Sequence, residues 1–183
     1  IKELSVEKIF MKKLPRSQTP TTKSYLDFLN AIKDKGLKIT EIKSGAGFTM
    51  GNGYLTFVNS DKDFDDLNNQ SAVVKFEYNS QSFLFTGDIE KQAEKAILKS
   101  DISADVLKVA HHGSNTSTTD EFLKKVNPSV AVISVGDDNK YNHPNKDTIE
   151  KLKNINVYQT NINGNICINI YDTYLDVVLA KGE

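Results

Sequence analysis

The chain has 183 residues, 38% hydrophobic content, a net charge of −1 and one cysteine. That length can bury a real core, and the near-neutral balance lacks the basic face that nucleic-acid binders usually present, leaving only short clusters such as Lys12-Lys13. Cys167 alone excludes an intrachain disulfide, and no apolar run approaches the roughly 18 residues of a membrane span.

In chain order, Val6 to Met11 reads as a strand, followed by a loop from Pro15 to Pro20. Tyr25, Leu26, Phe28, Leu29 and Ile32 recur at helical spacing, predicting a helix from about Thr22 to Lys35 closed by Gly36. A strand near Lys38 to Lys43 leads into a hairpin, Phe48–Met50 and Tyr54–Val58 around Gly51-Asn52-Gly53. Asn59 to Asn69 is a polar loop whose aspartates lack the spacing and pivot glycine of a calcium loop. A second hairpin pairs Ala72–Tyr78 with Ser82–Phe85 around Asn79-Ser80-Gln81.

Beyond Asp88 helix and strand alternate: Glu90–Lys99, Val106–Ala110, Thr119–Val126, Val130–Val135, Lys146–Lys153 and Val157–Thr160. Such alternation predicts a mostly parallel sheet. Asn165–Ile170 and Tyr174–Leu179 read as two closing strands, with Cys167 expected as a small buried hydrophobe. Without a repeat, a low-complexity tract or a linker, residues 1–183 form one domain or part of one.

Three apolar runs end abruptly in metal-friendly residues: Phe85 before Thr86-Gly87-Asp88, Ala110 before His111-His112-Gly113-Ser114, and Val135 before Gly136 and, further on, His143-Pro144. Parallel strands would gather Asp88, His111, His112 and His143 at their carboxyl ends, where α/β sheets bind ligands. Carboxylate with imidazole is the ligand set of hydrolytic zinc, manganese or iron sites. Thr118 with Glu121 forms a candidate capping box, Asn145 a candidate cap, and Ser114, Asn115, Thr116 and Ser117 add donors to the rim. Each item has a structural alternative: a helix cap for Asp88, a solvated pair for the histidines, a turn for His143. Their conjunction on one edge favours a metal site. A Ser114 nucleophile lacks the Gly-x-Ser-x-Gly elbow, and phosphate and dinucleotide loops are absent.

Several stretches together carry a family resemblance: Asn68-Asn69-Gln70-Ser71, Phe83 to Asp88, Ala104 to Val109, Ala110-His111-His112-Gly113-Ser114, Val132 to Gly136, Asn139 with Tyr141 to Pro144, Val157 to Thr160 and Gly164. Over about residues 22 to 170 the sequence resembles the C-terminal half of a metallo-β-lactamase-fold hydrolase, of the kind found in ComEC-type DNA-internalisation competence proteins. The resemblance implies a four-layer αββα sandwich holding two divalent metals, zinc first, with manganese or iron as alternatives. Carried over, Asp88 would bridge the metals, His112 with His111 would supply imidazole, and His143 would be a ligand or transition-state donor. Asn69 and Ser71 would line the pocket, with Ser114 and Ser117 on the substrate side.

The implied activity is metal-dependent phosphodiester hydrolysis, of DNA during uptake. The alternatives are a cyclic-nucleotide, phosphocholine or other ester substrate, or a degenerate binding module. The superfamily's His-x-(His or Asp)-x-Asp-His motif is absent, because all three histidines are already assigned. It is expected upstream of Ile1, with the first half of the fold, so this chain alone should bind metal weakly and hydrolyse poorly. An uncovered apolar sheet face would then invite the missing half or a second copy. A ComEC-type protein would place the domain outside the membrane, another hydrolase in the cytoplasm.

Overall fold

A computed structural model describes residues 3–180, so the single domain read across 1–183 extends at both ends beyond the described residues. Its centre is a seven-stranded mixed sheet in sequential order. Strands β3 (Gly47–Met50), β4 (Gly53–Phe57), β5 (Val74–Tyr78) and β6 (Gln81–Phe85) run antiparallel to one another. Both hairpins tighten to two-residue turns, Gly51-Asn52 and Asn79-Ser80, with Gly51 and Asn79 at positive φ as such turns demand.

Strands β7 (Val106–Lys108), β8 (Val130–Ile133) and β9 (Asn156–Gln159) then continue the sheet in parallel from β6. Each crossover carries a helix: α2 (Lys91–Ile97), α3 (Asp120–Val126) or α4 (Lys146–Lys151). Leu84, Leu107, Ala131 and Ile133 point to the face on which Ala93, Ile97, Phe122, Val126 and Leu152 pack, and this layer is the main core. The alternation expected beyond Asp88 is therefore a parallel half-sheet with its helices on one side.

The opposite face receives a hairpin, β10 (Asn165–Ile170) with β11 (Leu175–Ala180). Ile168, Ile170 and Leu175 seat on Phe83, Val106 and Val130. Because strand side chains alternate, the neighbouring Cys167 is turned outward and exposed, correcting its expected burial. The hairpin covers only part of this face. A cavity of about 280 Å³ opens beside it between Phe83, Phe85, Lys108, Val132, Ile166 and Ile168, and Phe85 is 44% exposed.

At the N-terminal end β1 (Ile9–Met11) pairs in parallel with β2 (Ile39–Glu41), and α1 (Lys23–Asp34) lies between them with Thr22 as its N-cap. Phe10 stacks on Phe48 at 5.0 Å and meets Phe57 at 5.2 Å, which fastens this pair to the edge of the main sheet. A short helix unforeseen from the sequence, α5 (Thr160–Asn163), lets Thr160 exchange hydrogen bonds with both backbone groups of Val135.

Two capping expectations resolve differently. Asn145 caps α4 as expected. The cap of α3 is Thr119 rather than Thr118, since Thr119 Oγ1 accepts from Phe122 N while Thr118 sits at φ +55° with its N–H given to Glu94.

Candidate metal-binding rim

The register aligns Phe85, Lys108 and Val132 across β6, β7 and β8, so the loops leaving these strands emerge at one edge. After β6, Gly87 adopts φ +56°, and a Cβ there would lie 2.7 Å from Ser71 Cβ. Glycine therefore lets the loop pass close to Ser71, whose Oγ accepts the Asp88 N–H at 3.1 Å. The Gly87 carbonyl accepts from His111 N at 3.1 Å, tying the first two loops together.

After β7 three successive residues are left-handed: His111 (φ 47°), His112 (φ 55°) and Gly113 (φ 81°). For the two histidines this costs about 1–2 kcal/mol each. The turn persists because its surroundings hold it: Gly113 O accepts from Asn145 N at 2.9 Å, and Ser114 O accepts from Thr148 Oγ1 at 3.1 Å. Gly113 is also closed to larger residues, because a Cβ would meet Pro144 Cβ at 2.7 Å. Gly113→Ala is accordingly expected to lower stability by about 2 kcal/mol or more. An unchanged denaturant midpoint would contradict the close approach.

The turn presents both imidazoles in a defined tautomer. His112 Nδ1 lies 2.7 Å from the Ser134 carbonyl, which can only accept, so Nδ1 carries the proton and Nε2 keeps its lone pair. That lone pair lies 3.7 Å from Asp88 Oδ1. His111 Nδ1 lies 3.2 Å from Glu90 Oε1 and 3.3 Å from Thr116 Oγ1, which likewise leaves its Nε2 as the free acceptor. Thr116 Oγ1 and Asn68 Nδ2 also donate to that Glu90 oxygen, so the carboxylate is itself held.

His143, on the loop after β8, places its ring 5.6 Å from His111, centroid to centroid. Its Nδ1 is buried without a partner among the described residues. Desolvation, reinforced by the charges His111 and His112 would carry, pushes its pKa below the usual histidine range. Lys108, on the sheet face below the rim, is pushed down by burial, with Asp88 opposing.

The other residues singled out from the sequence have different surroundings. Asn69 is 2% exposed; its Oδ1 accepts the Glu90 and Ala93 N–H groups and its Nδ2 donates to Asp66. It caps α2 from outside the helix, where Glu90 supplies no side-chain cap. Ser114 and Ser117 are buried: Ser114 Oγ bonds Thr116 Oγ1, and Ser117 Oγ donates to the carbonyls of Ala110 and Ser114. These hydroxyls hold the loop's shape. Two further participants are Glu90, two residues past Asp88, whose only sequence signal is that spacing, and the Ser134 carbonyl, which as backbone has none.

The residues fit one edge of a metal site. A carboxylate oxygen and an imidazole lone pair facing each other at 3.7 Å repel unless a cation or proton lies between them. The separation is near the about 3.4 Å kept by two ligands at zinc-type bond lengths in a tetrahedral shell. Among the described residues, no three His, Cys, Asp or Glu side chains converge as a metal-holding group. Asp88 and His112 are thus two candidate ligands side by side, whereas a catalytic zinc takes three protein ligands.

Comparison with known proteins places the chain in a family. Residues 6–137 match the model of the metallo-beta-lactamase superfamily. The chain is 36% identical over 143 residues to ComE operon protein 3 of Bacillus subtilis, covering 75% of this chain and 18% of that protein. It is 34% identical over 116 residues to Recombination protein 2 of Haemophilus influenzae, covering 62% and 15%. With Competence protein ComA of Neisseria gonorrhoeae it shares 32% over 108 residues, covering 56% and 16%. The chain therefore spans less than a fifth of the length of these curated relatives. A solved protein from Parabacteroides distasonis, described provisionally as a metal-dependent hydrolase, shares the fold at TM-score 0.50 and 13% identity, covering 84% of this chain and 75% of its own. The chain belongs to the metallo-β-lactamase superfamily, whose fold is generally hydrolytic and usually takes divalent metals, and the three curated relatives named above are competence proteins of the ComEC type.

Proposed function

We propose that this chain carries one edge of a divalent-metal phosphodiesterase site, and that the protein hydrolyses DNA during DNA uptake. The observation that carries the proposal is the Asp88–His112 pair, two acceptors 3.7 Å apart with the imidazole tautomer set by Ser134. The competence proteins among its relatives support DNA as the phosphodiester.

Divalent metals, zinc first, would supply Lewis acidity toward the phosphoryl oxygen and a nucleophilic water at neutral pH. Asp88 and His112 would hold them, with His111 presenting a second imidazole and His143 facing the substrate side. Ser134 and Glu90 position the two rings. Because these residues provide only part of a shell, residues 1–183 alone are weak in metal binding and in hydrolysis.

The test is Asp88→Ala in the full-length protein, with metal content measured beside hydrolysis of DNA, a cyclic nucleotide and a phosphocholine ester. Metal content and DNA hydrolysis should both fall, the latter by at least about 100-fold. Unchanged metal and rate would remove Asp88 from the site. Hydrolysis confined to the small esters would move the substrate away from DNA, and no hydrolysis by the wild type would favour a binding module.

A further inference from the structure

Beside the rim one aromatic side chain stands largely in solvent. Tyr141 is 79% exposed, more than any other exposed large hydrophobic among the described residues. It is nevertheless held in place. Its ring stacks on His143 at 5.9 Å with 21° between the planes, and His143 in turn lies edge-on to His111 at 5.6 Å.

The loop that carries it is stitched shut by Asn139. That side chain donates to the carbonyls of Gly136 (3.0 Å) and His143 (2.7 Å) and accepts the His143 N–H at 2.8 Å. Asn142, at φ +55°, turns the chain sharply between the two rings. A preordered aromatic face thus stands in solvent, one ring away from the histidines of the rim.

We propose that Tyr141 is a stacking platform for an unpaired base, which makes single-stranded nucleic acid the form of substrate presented to the Asp88–His112 rim. The inference rests on the phosphodiesterase reading above and adds what recognises the substrate. Every unpaired base offers a π-face, so such a platform binds without sequence preference. Bases inside a duplex have theirs occupied by neighbours. Charge does not explain the loop, since Asp137 and Asp138 outnumber Lys140 and offer a phosphate backbone nothing. Stacking is the interaction that its exposed ring offers.

The test uses the full-length protein with a chelator present, so that binding is read without turnover. Fluorescence anisotropy would follow fluorescein-labelled oligothymidylate, an abasic strand of equal length and an intact duplex. The wild type should prefer oligothymidylate to both. Tyr141→Ala should weaken oligothymidylate binding about tenfold and leave the abasic strand unaffected, and Tyr141→Trp should bind at least as well as wild type. Equal oligothymidylate affinity in wild type and Tyr141→Ala would overturn the platform. So would an equal loss on the abasic strand, which would mean that the residue only shapes the loop. Tyr141-dependent binding by a protein that hydrolyses no DNA would overturn the phosphodiesterase reading and leave the platform standing; DNA hydrolysis with no Tyr141 dependence would do the reverse.

Discussion

His112→Gly in the full-length protein should reduce metal-dependent phosphodiester hydrolysis by at least about 100-fold while leaving the folded state within about 1 kcal/mol of wild type. The two halves of this expectation come from different features of one residue. The proposed function needs the imidazole, because Nε2 is the acceptor opposite Asp88 and its availability depends on Nδ1 donating to Ser134. Stability gains nothing from the side chain's backbone conformation, since φ 55° is strained for histidine and ordinary for glycine. Relief of that strain offsets the extra unfolded-state entropy of glycine. The ring is 45% exposed, so water replaces its bond to Ser134 and little packing is lost. Metal content and a denaturant titration on the same preparations check both halves. A variant that stays active would exclude His112 from the site, and one that unfolds would show that the ring supports the fold.

Glu94→Ala should have the opposite profile, a large loss of stability from a residue with no place on the rim. Glu94 is fully buried, and its carboxylate accepts from Thr118 N, from Thr119 N at 2.9 Å and from Thr119 Oγ1 at 2.8 Å. It thereby satisfies the start of α3 and holds Thr118 at positive φ, while Lys151 Nζ donates to Thr118 O at 3.1 Å from the other side. Removing the carboxylate strands buried donors and leaves a cavity, together costing about 3–5 kcal/mol. For a domain of this size that is a fall in Tm of about 6–20 °C. A fall of a degree or two would mean that water or a rearranged loop replaces the carboxylate.

Burial raises the pKa of Glu94, against the hydrogen bonds from Thr119 and Thr118 and the charge of Lys151. A raised folded-state value means that the native protein holds this proton more tightly than the unfolded chain. Its contribution is therefore complete below the ordinary glutamate range and is lost as pH rises through the raised value. The stability of wild type minus that of Glu94→Gln should accordingly shrink from acidic toward neutral pH. A difference that grew over that window would show the carboxylate to be stabilised as the anion.

Local patterns were enough to place the rim. The apolar runs of β6, β7 and β8 each stop where polar residues begin, and the intervening stretches repeat with helical period, so parallel pairing and a shared edge for Asp88, His111, His112 and His143 follow from the sequence. The same reasoning read both hairpins from their turn residues, the start of α1 near Thr22 and the cap Asn145 from its position. These are short-range properties, written within a few residues of where they act.

The remaining features depend on partners far along the chain. The tautomer of His112 is set by a backbone carbonyl 22 residues away, and no side-chain pattern announces a carbonyl. Thr118 looked like the cap of α3 because its spacing to Glu121 fits, but Glu94, from a different helix, takes its N–H and the cap moves to Thr119. Asn69, Ser114 and Ser117 have the chemistry of rim donors, yet burial spends their hydrogen bonds on α2 and on the loop itself. The exposure of Cys167 was settled by which side of one hairpin met the sheet. Residue type and spacing state what a side chain can bond; packing against distant segments decides which of those bonds remain free for a metal or a substrate.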